Sequence, residues 1–175
     1  MTDFGGSTTP QNEKDCWQTP LWVFDALDME FGFWLDAASS ERNALCSHFL
    51  TEQDDSLSRE WNSYGAIWCN PPYSDISPWV EKAAEQCAAQ RQPVVMLLPA
   101  DISTGWFSAA MQTADELRLI TDGRIQFVPV TDGGKCKSNP KGSVLFIWRP
   151  FIKPRRIITS VSLAELKRIG TRNAA

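Results

Sequence analysis

Short unbroken apolar runs alternate along the chain with longer stretches whose apolar residues recur at helical spacing. Ala66–Cys69, Val94–Leu98 and Ser143–Trp148 are of the first kind. A strand covered on both faces reads this way, because neither side-chain direction meets water. Phe24, Leu27 and Phe31 fall at i, i+3 and i+7, predicting a helix. Thr19-Pro20 offers a capping hydroxyl and a first-turn proline at its start, and Gly32 a stop at its end. Ser77-Pro78 opens a second helix, with Ile76, Val80, Ala83, Ala84 and Cys87 marking one face and Gln92-Pro93 ending the connection. A third runs from Trp106 and Phe107 to about Thr113, and a fourth over Ser162–Ile169. Shorter strands are predicted over Phe33–Asp36, His48–Leu50, Leu117–Thr121 and Arg124–Val130, the last two around the turn signal Asp122-Gly123. Residues 1–15 are polar and aperiodic, predicting a mobile arm, and Thr131–Lys141 reads as a flexible loop. Residues 16–175 then form a single domain with a basic C-terminal segment.

Strands and helices in alternation imply an α/β fold with a mixed, mostly parallel central sheet flanked by helices. Asp36 closes one strand and is followed by the small residues Ala37, Ala38, Ser39 and Ser40, with a helix expected around Glu41–Cys46. Strand, acid, small-residue turn and helix make the ligand-entry unit of a Rossmann-like fold, where ligands sit at the carboxyl ends of strands. No G-x-G-x-x-G fingerprint is present, which disfavours a dinucleotide, whose pyrophosphate needs glycines for close approach. Only about thirty residues separate Asp36 from Asn70, too few for three strand–helix units. The fold is therefore a compact version of its class.

Chemistry concentrates where Ala66–Cys69 stops, at Asn70-Pro71-Pro72-Tyr73. The prolines fix φ and hold Asn70 extended. The Asn70 amide oxygen and a backbone carbonyl are then presented beside an aromatic ring. A flat group carrying an NH2 is the natural partner of two such acceptors. Glu52, Asp54 and Asp55 follow the second short strand, and a carboxylate there can accept two hydrogen bonds from a ribose or an adenine amino group. His48 is read as a local packing residue. Five widely spaced cysteines and one histidine predict reduced thiols and no metal site. With no apolar run near membrane-spanning length and no signal-peptide core, the expected setting is the cytoplasm.

The net charge is −4, but it is unevenly spread. Residues 1–120 hold 6 Lys+Arg against 18 Asp+Glu, and residues 121–175 hold 11 against 3. The resulting −12 and +8 fit a one-sided footprint for a polyanion. Arg124, Lys135, Lys137, Lys141, Lys153, Arg155 and Arg156 are its candidate contacts, with Arg124 nearest the chemistry.

Asn70-Pro71-Pro72-Tyr73 resembles the [DNS]-P-P-[YFW] signature of S-adenosylmethionine (SAM) dependent amino-methyltransferases. The ordered set Trp17-Gln18-Thr19-Pro20, Leu35-Asp36-Ala37-Ala38, Asn43-Ala44, the signature, Leu97-Leu98-Pro99-Ala100 and Gly123-Arg124-Ile125-Gln126-Phe127 resembles the phage-type DNA N6-adenine methyltransferase family. That resemblance implies a SAM-dependent methyltransferase fold acting on double-stranded DNA. It implies Asn70, Pro71, Pro72 and Tyr73 at the catalytic position, with Tyr73 stacking on an extruded base. It implies Trp17, Thr19, Pro20, Asp36, Ala37, Ala38, Asn43 and Asp55 around the cofactor. Other acceptors stay open: an RNA adenine, cytosine N4 or a protein amide. So does a non-catalytic nucleic-acid-binding module of the same fold. The recognition sequence and the oligomeric state are not legible in the chain.

Overall fold

A computed structural model describes residues 17–129, 137–138 and 140–172. The expected N-terminal arm, most of the Thr131–Lys141 loop, Cys16, Lys135 and Cys136 lie outside the described residues. In chain order the elements are β1 (Trp17–Gln18), α1 (Leu21–Phe31), β2 (Phe33–Ser39), β3 (His48–Thr51), a 3-10 turn (Glu52–Asp54), β4 (Ala66–Cys69), α2 (Ser77–Gln90) and β5 (Val94–Pro99). There follow α3 (Gly105–Thr113), β6 (Glu116–Thr121), β7 (Gln126–Pro129), β8 (Lys137–Ser138), β9 (Ser143–Trp148), β10 (Ile157–Ser162) and α4 (Leu163–Thr171).

Seven strands form one sheet in the order β10-β6-β9-β5-β4-β2-β3. β3, β2, β4 and β5 are parallel, β9 is antiparallel between β5 and β6, and β10 is parallel to β6. The sheet is the mixed, mostly parallel, helix-flanked one that the α/β pattern predicts. Alternate residues of β5 go to opposite faces. Val94, Met96 and Leu98 join α2 and α3 side chains such as Val80, Ala83 and Phe107 in one core. Val95 and Leu97 join Val23, Phe24, Leu27 and Leu166 of α1 and α4 in the other. A strand buried on both sides explains the unbroken apolar run. The helices of the second core pack very closely: a Cβ on Gly170 would lie 1.8 Å from the Trp22 carbonyl oxygen. Only a residue without a side chain fits there. Gly32 ends α1 in the left-handed region at φ 66°, as its position predicts.

Three expectations are corrected. β2 does not turn after Asp36 but runs on to Ser39, because β3 keeps pairing with it as far as Ser39↔Thr51. Residues 41–46 form turns rather than a helix. Asp36 Oδ2 takes the Leu45 amide at 3.1 Å, which a helix would give to the Glu41 carbonyl, while Asn43 Oδ1 accepts from Ser40 N at 2.6 Å. β6 and β7 are not a hairpin. Both edges of β6 are occupied, by β9 and β10, so β7 pairs instead with β1 and β8 in a separate three-stranded sheet. β10 has no counterpart among the predicted strands. Among the described residues no helix is long and apolar enough to cross a membrane, and no group of three or more His, Cys, Asp or Glu side chains could hold a metal ion.

Candidate active site

The carboxyl ends of β2, β4 and β5 open into a cleft of about 940 Å³. Its wall includes Trp17, Thr19, Asp36, Ala38, Asn43, Asp55, Asn70, Pro71, Pro72 and Tyr73. Residues spread over more than fifty positions of sequence are thus gathered by the parallel strands at one rim, where an open α/β sheet places its ligands. Pro20 and Ala37 do not line it. Pro20 is buried where the chain enters α1, and the pleat of β2 sends Ala37 into the core.

Asn70 is the first residue beyond β4. Its Nδ2 donates to Thr19 Oγ1 at 3.0 Å. Its Oδ1 is shielded from solvent and takes no hydrogen bond among the described residues. A buried carbonyl left unpaired costs about 1–3 kcal/mol, so this acceptor stands ready for a donor. Thr19 does not cap α1 as the sequence suggests. The cap position is Pro20, without a side-chain bond, and its carbonyl receives the amides of Val23 and Phe24. The Thr19 hydroxyl serves Asn70 instead.

Tyr73 is a fixed wall rather than a swinging ring. β4 pairs with β5 only as far as Cys69↔Met96, and the Tyr73 hydroxyl donates to the next carbonyl, Leu97 O, at 3.0 Å. Burial pushes its phenol well above the ordinary range, so it stays a neutral donor. Its ring meets Phe127 of β7 edge-on, with centroids 6.3 Å apart. Phe127 also lines the cleft, a role its place in the sequence does not announce. Trp79 and Trp106 stand half-buried at the cleft, while Trp61 and Trp148 are core.

Asp36 is 2 % exposed and holds its own chain: Oδ1 accepts from Ala38 N at 3.3 Å and Oδ2 from Leu45 N at 3.1 Å. Burial raises its carboxyl to about 6 against the opposing pull of those two amides. Of the three acids after β3, Asp54 is consumed locally by the Thr51 amide and hydroxyl and by Arg59. Asp55 and Glu52 face the cleft, with one Asp55 oxygen taking the Ser58 hydroxyl at 2.6 Å. His48 stacks on Trp34 with centroids 3.6 Å apart, a packing role.

The basic candidates divide. Lys141 lines the cleft and pairs with Asp101. Arg124 is exposed just beyond the carboxyl end of β6, on the cleft side of the sheet. Lys137 lies in β8. Arg155 and Arg156 precede β10, whose amino end pairs with that of β6 at Ile157↔Glu116, and so sit at the opposite edge of the sheet. There Arg155 donates to the buried Asp115 through its backbone amide at 2.8 Å and its guanidinium at 2.8 Å. It is a structural clamp, not part of the cleft.

A family model described as DNA N-6-adenine-methyltransferase (Dam) matches residues 6–173. A DNA N-6-adenine-methyltransferase of Escherichia phage T1 is 38% identical over 161 residues, covering 83% of this chain and 67% of that relative. One of Haemophilus phage HP1 is 35% identical over 167 residues, covering 94% of this chain and 96% of the relative. Signature, cleft and likeness coincide over nearly the whole length, and the chain belongs to the DNA N-6-adenine-methyltransferase family.

Proposed function

We infer that the protein transfers a methyl group from SAM to the N6 amino group of adenine in double-stranded DNA. The observation that carries the assignment of the site is Asn70 in the wall of the cleft, its amide anchored on Thr19 and its shielded Oδ1 left unpaired. Family membership supports the reaction and the cofactor.

The residues present fit the cofactor. SAM carries positive charge at its sulfonium and ammonium groups, and the cleft wall holds Asp36, Glu41, Glu52, Asp55 and Asp101 against Arg42 and Lys141. Asp55 and Glu52 are the acceptors suited to ribose hydroxyls, and Trp17, Ala38 and Asn43 complete that wall. Asp36, nearly buried and tied to one amide through each oxygen, shapes the site and keeps a further acceptor lone pair on each oxygen. When bound, SAM supplies an electrophilic methyl group.

The amino group of adenine is a poor nucleophile because its lone pair is delocalised into the ring. Asn70 Oδ1 and the Pro71 carbonyl each accept one of its N–H bonds. That favours a tetrahedral nitrogen whose lone pair is free for in-line attack. The alkylated nitrogen is strongly acidic and releases a proton without a dedicated base. Extruding the nucleotide from the duplex costs a few kcal/mol. Lys141 and Arg124, on the cleft side, are the proposed contacts to the DNA backbone near the extruded base, and Lys135 and Lys137 belong to the same segment.

Tritiated-methyl transfer to duplex DNA tests the reading. Asn70→Ala should keep its fold and SAM binding and lose ~10²-fold or more in turnover, as when an electrostatic stabiliser is removed. Near-normal methylation by that variant would defeat the mechanism. Nucleoside analysis of the product separates N6-methyladenine from N4-methylcytosine, and parallel assays on RNA and protein exclude other acceptors.

A further inference from the structure

We propose that Thr19 is a positioning residue: its hydroxyl oxygen, accepting from Asn70 Nδ2, holds the amide in place and leaves Oδ1 as the atom for the acceptor amine. The inference rests on the reading that Asn70 Oδ1 accepts from the substrate. A primary amide has a two-fold terminal torsion, and turning it over exchanges an acceptor for a donor. A donor facing the adenine NH2 would repel the group it should bind. A hydroxyl can bond either end of an amide; here Thr19 accepts from Nδ2 and Oδ1 is the end left unpaired.

Thr19 is built for the task. It is 7 % exposed, its Oγ1 lies 3.0 Å from Nδ2, and no helix-capping bond competes for it. The chain on either side is pinned. Trp17 and Gln18 pair with Pro129 and Val128 of β7, and Pro20 is locked at the head of α1 by the Val23 and Phe24 amides. The second sheet therefore does more than wall the cleft. It delivers a hydroxyl across 51 positions of sequence to the residue that meets the substrate.

The test compares wild type, Thr19→Val, Thr19→Ser, Thr19→Ala, Asn70→Ala and the double variant Thr19→Val/Asn70→Ala. Tritiated-methyl transfer to one duplex DNA preparation and calorimetric SAM binding are measured for each. The expected result for Thr19→Val is about a tenfold fall in kcat, from losing one hydrogen bond, with the Kd for SAM within about twofold of wild type. Thr19→Ser, which keeps the oxygen, should stay within about twofold in kcat. Added to Asn70→Ala, the Thr19→Val change should do nothing more, because its target is gone. Should Thr19→Val fail to fold, Thr19→Ala is held to the same figures. Full activity in the variants lacking the hydroxyl would overturn the proposal. So would a fall matched by weakened SAM binding, which would make Thr19 a cofactor ligand instead. A fully active Asn70→Ala would defeat the underlying reading, a result separable from either.

Discussion

Asp115→Asn is the substitution that most directly separates the clamp at the far edge of the sheet from a DNA-binding surface. The Asp115 carboxylate is buried, with Arg149 Nη1 at 2.9 Å, Arg155 N at 2.8 Å and Arg155 Nη2 at 2.8 Å. Its hydrogen bonds from Arg155, chiefly, lower its carboxyl from 3.8 to about 2. A tenfold change in an acidity constant corresponds to about 1.4 kcal/mol, so the charged form contributes roughly 2 kcal/mol. Because the folded value lies below the unfolded one, that contribution is complete above pH 4 and is lost as pH falls toward 2. Urea denaturation at pH 7 should show Asp115→Asn less stable by about 2 kcal/mol, with a Tm lower by about 4–8 °C for a chain of this size. The two proteins should converge as pH approaches 2. In the same series, Arg155→Gln should leave the salt dependence of DNA binding unchanged, whereas Lys141→Gln should reduce its log–log slope by about 0.9, the effect of one phosphate contact. Equal stability of Asp115→Asn and wild type at pH 7, together with a reduced slope in Arg155→Gln, would refute the clamp.

Two further measurements address the site and the packing behind it. The carboxyl carbon of Asp36 should titrate by NMR with a midpoint near pH 6. Here the folded value lies above the unfolded one, so this group's contribution to stability falls as pH rises from about 4 to 6; a midpoint near 4 would contradict the burial. Gly170→Ala should lower the urea midpoint by the equivalent of about 1–3 kcal/mol, as overpacking does, because its methyl would collide with the Trp22 carbonyl. An unchanged midpoint would show that α1 and α4 are not in that contact.

Much of this protein is written locally. The runs Val94–Leu98 and Ser143–Trp148 became β5 and β9 with nearly the same bounds, because a strand flanked on both faces needs apolar residues everywhere. Gly32 and Ser77-Pro78 set helix ends through backbone constraints that travel with the residue. Asn70-Pro71-Pro72-Tyr73 announced an acceptor site at a strand end for the same reason. Other features depend on partners distant in sequence. β10, Ile-Ile-Thr-Ser-Val-Ser, shows neither an unbroken apolar run nor a regular alternation and gains its identity only by lying along β6. Residues 41–46 have helix-compatible composition, yet Asp36, from the preceding strand, takes the Leu45 amide there. The positive charge of Arg155 suggested DNA, but the fold places it on Asp115, 40 residues away.

The sequence by itself determined the α/β class, the strand that ends at Asn70 and the chemistry that an asparagine between a strand and two prolines can perform. Only the tertiary structure decided which way the Asn70 amide faces, which basic residues share its side of the sheet and which acids line the cleft. Backbone propensity and burial pattern act over a few residues, whereas hydrogen bonds between Thr19 and Asn70 or Arg155 and Asp115 exist only after the sheet has brought their ends together.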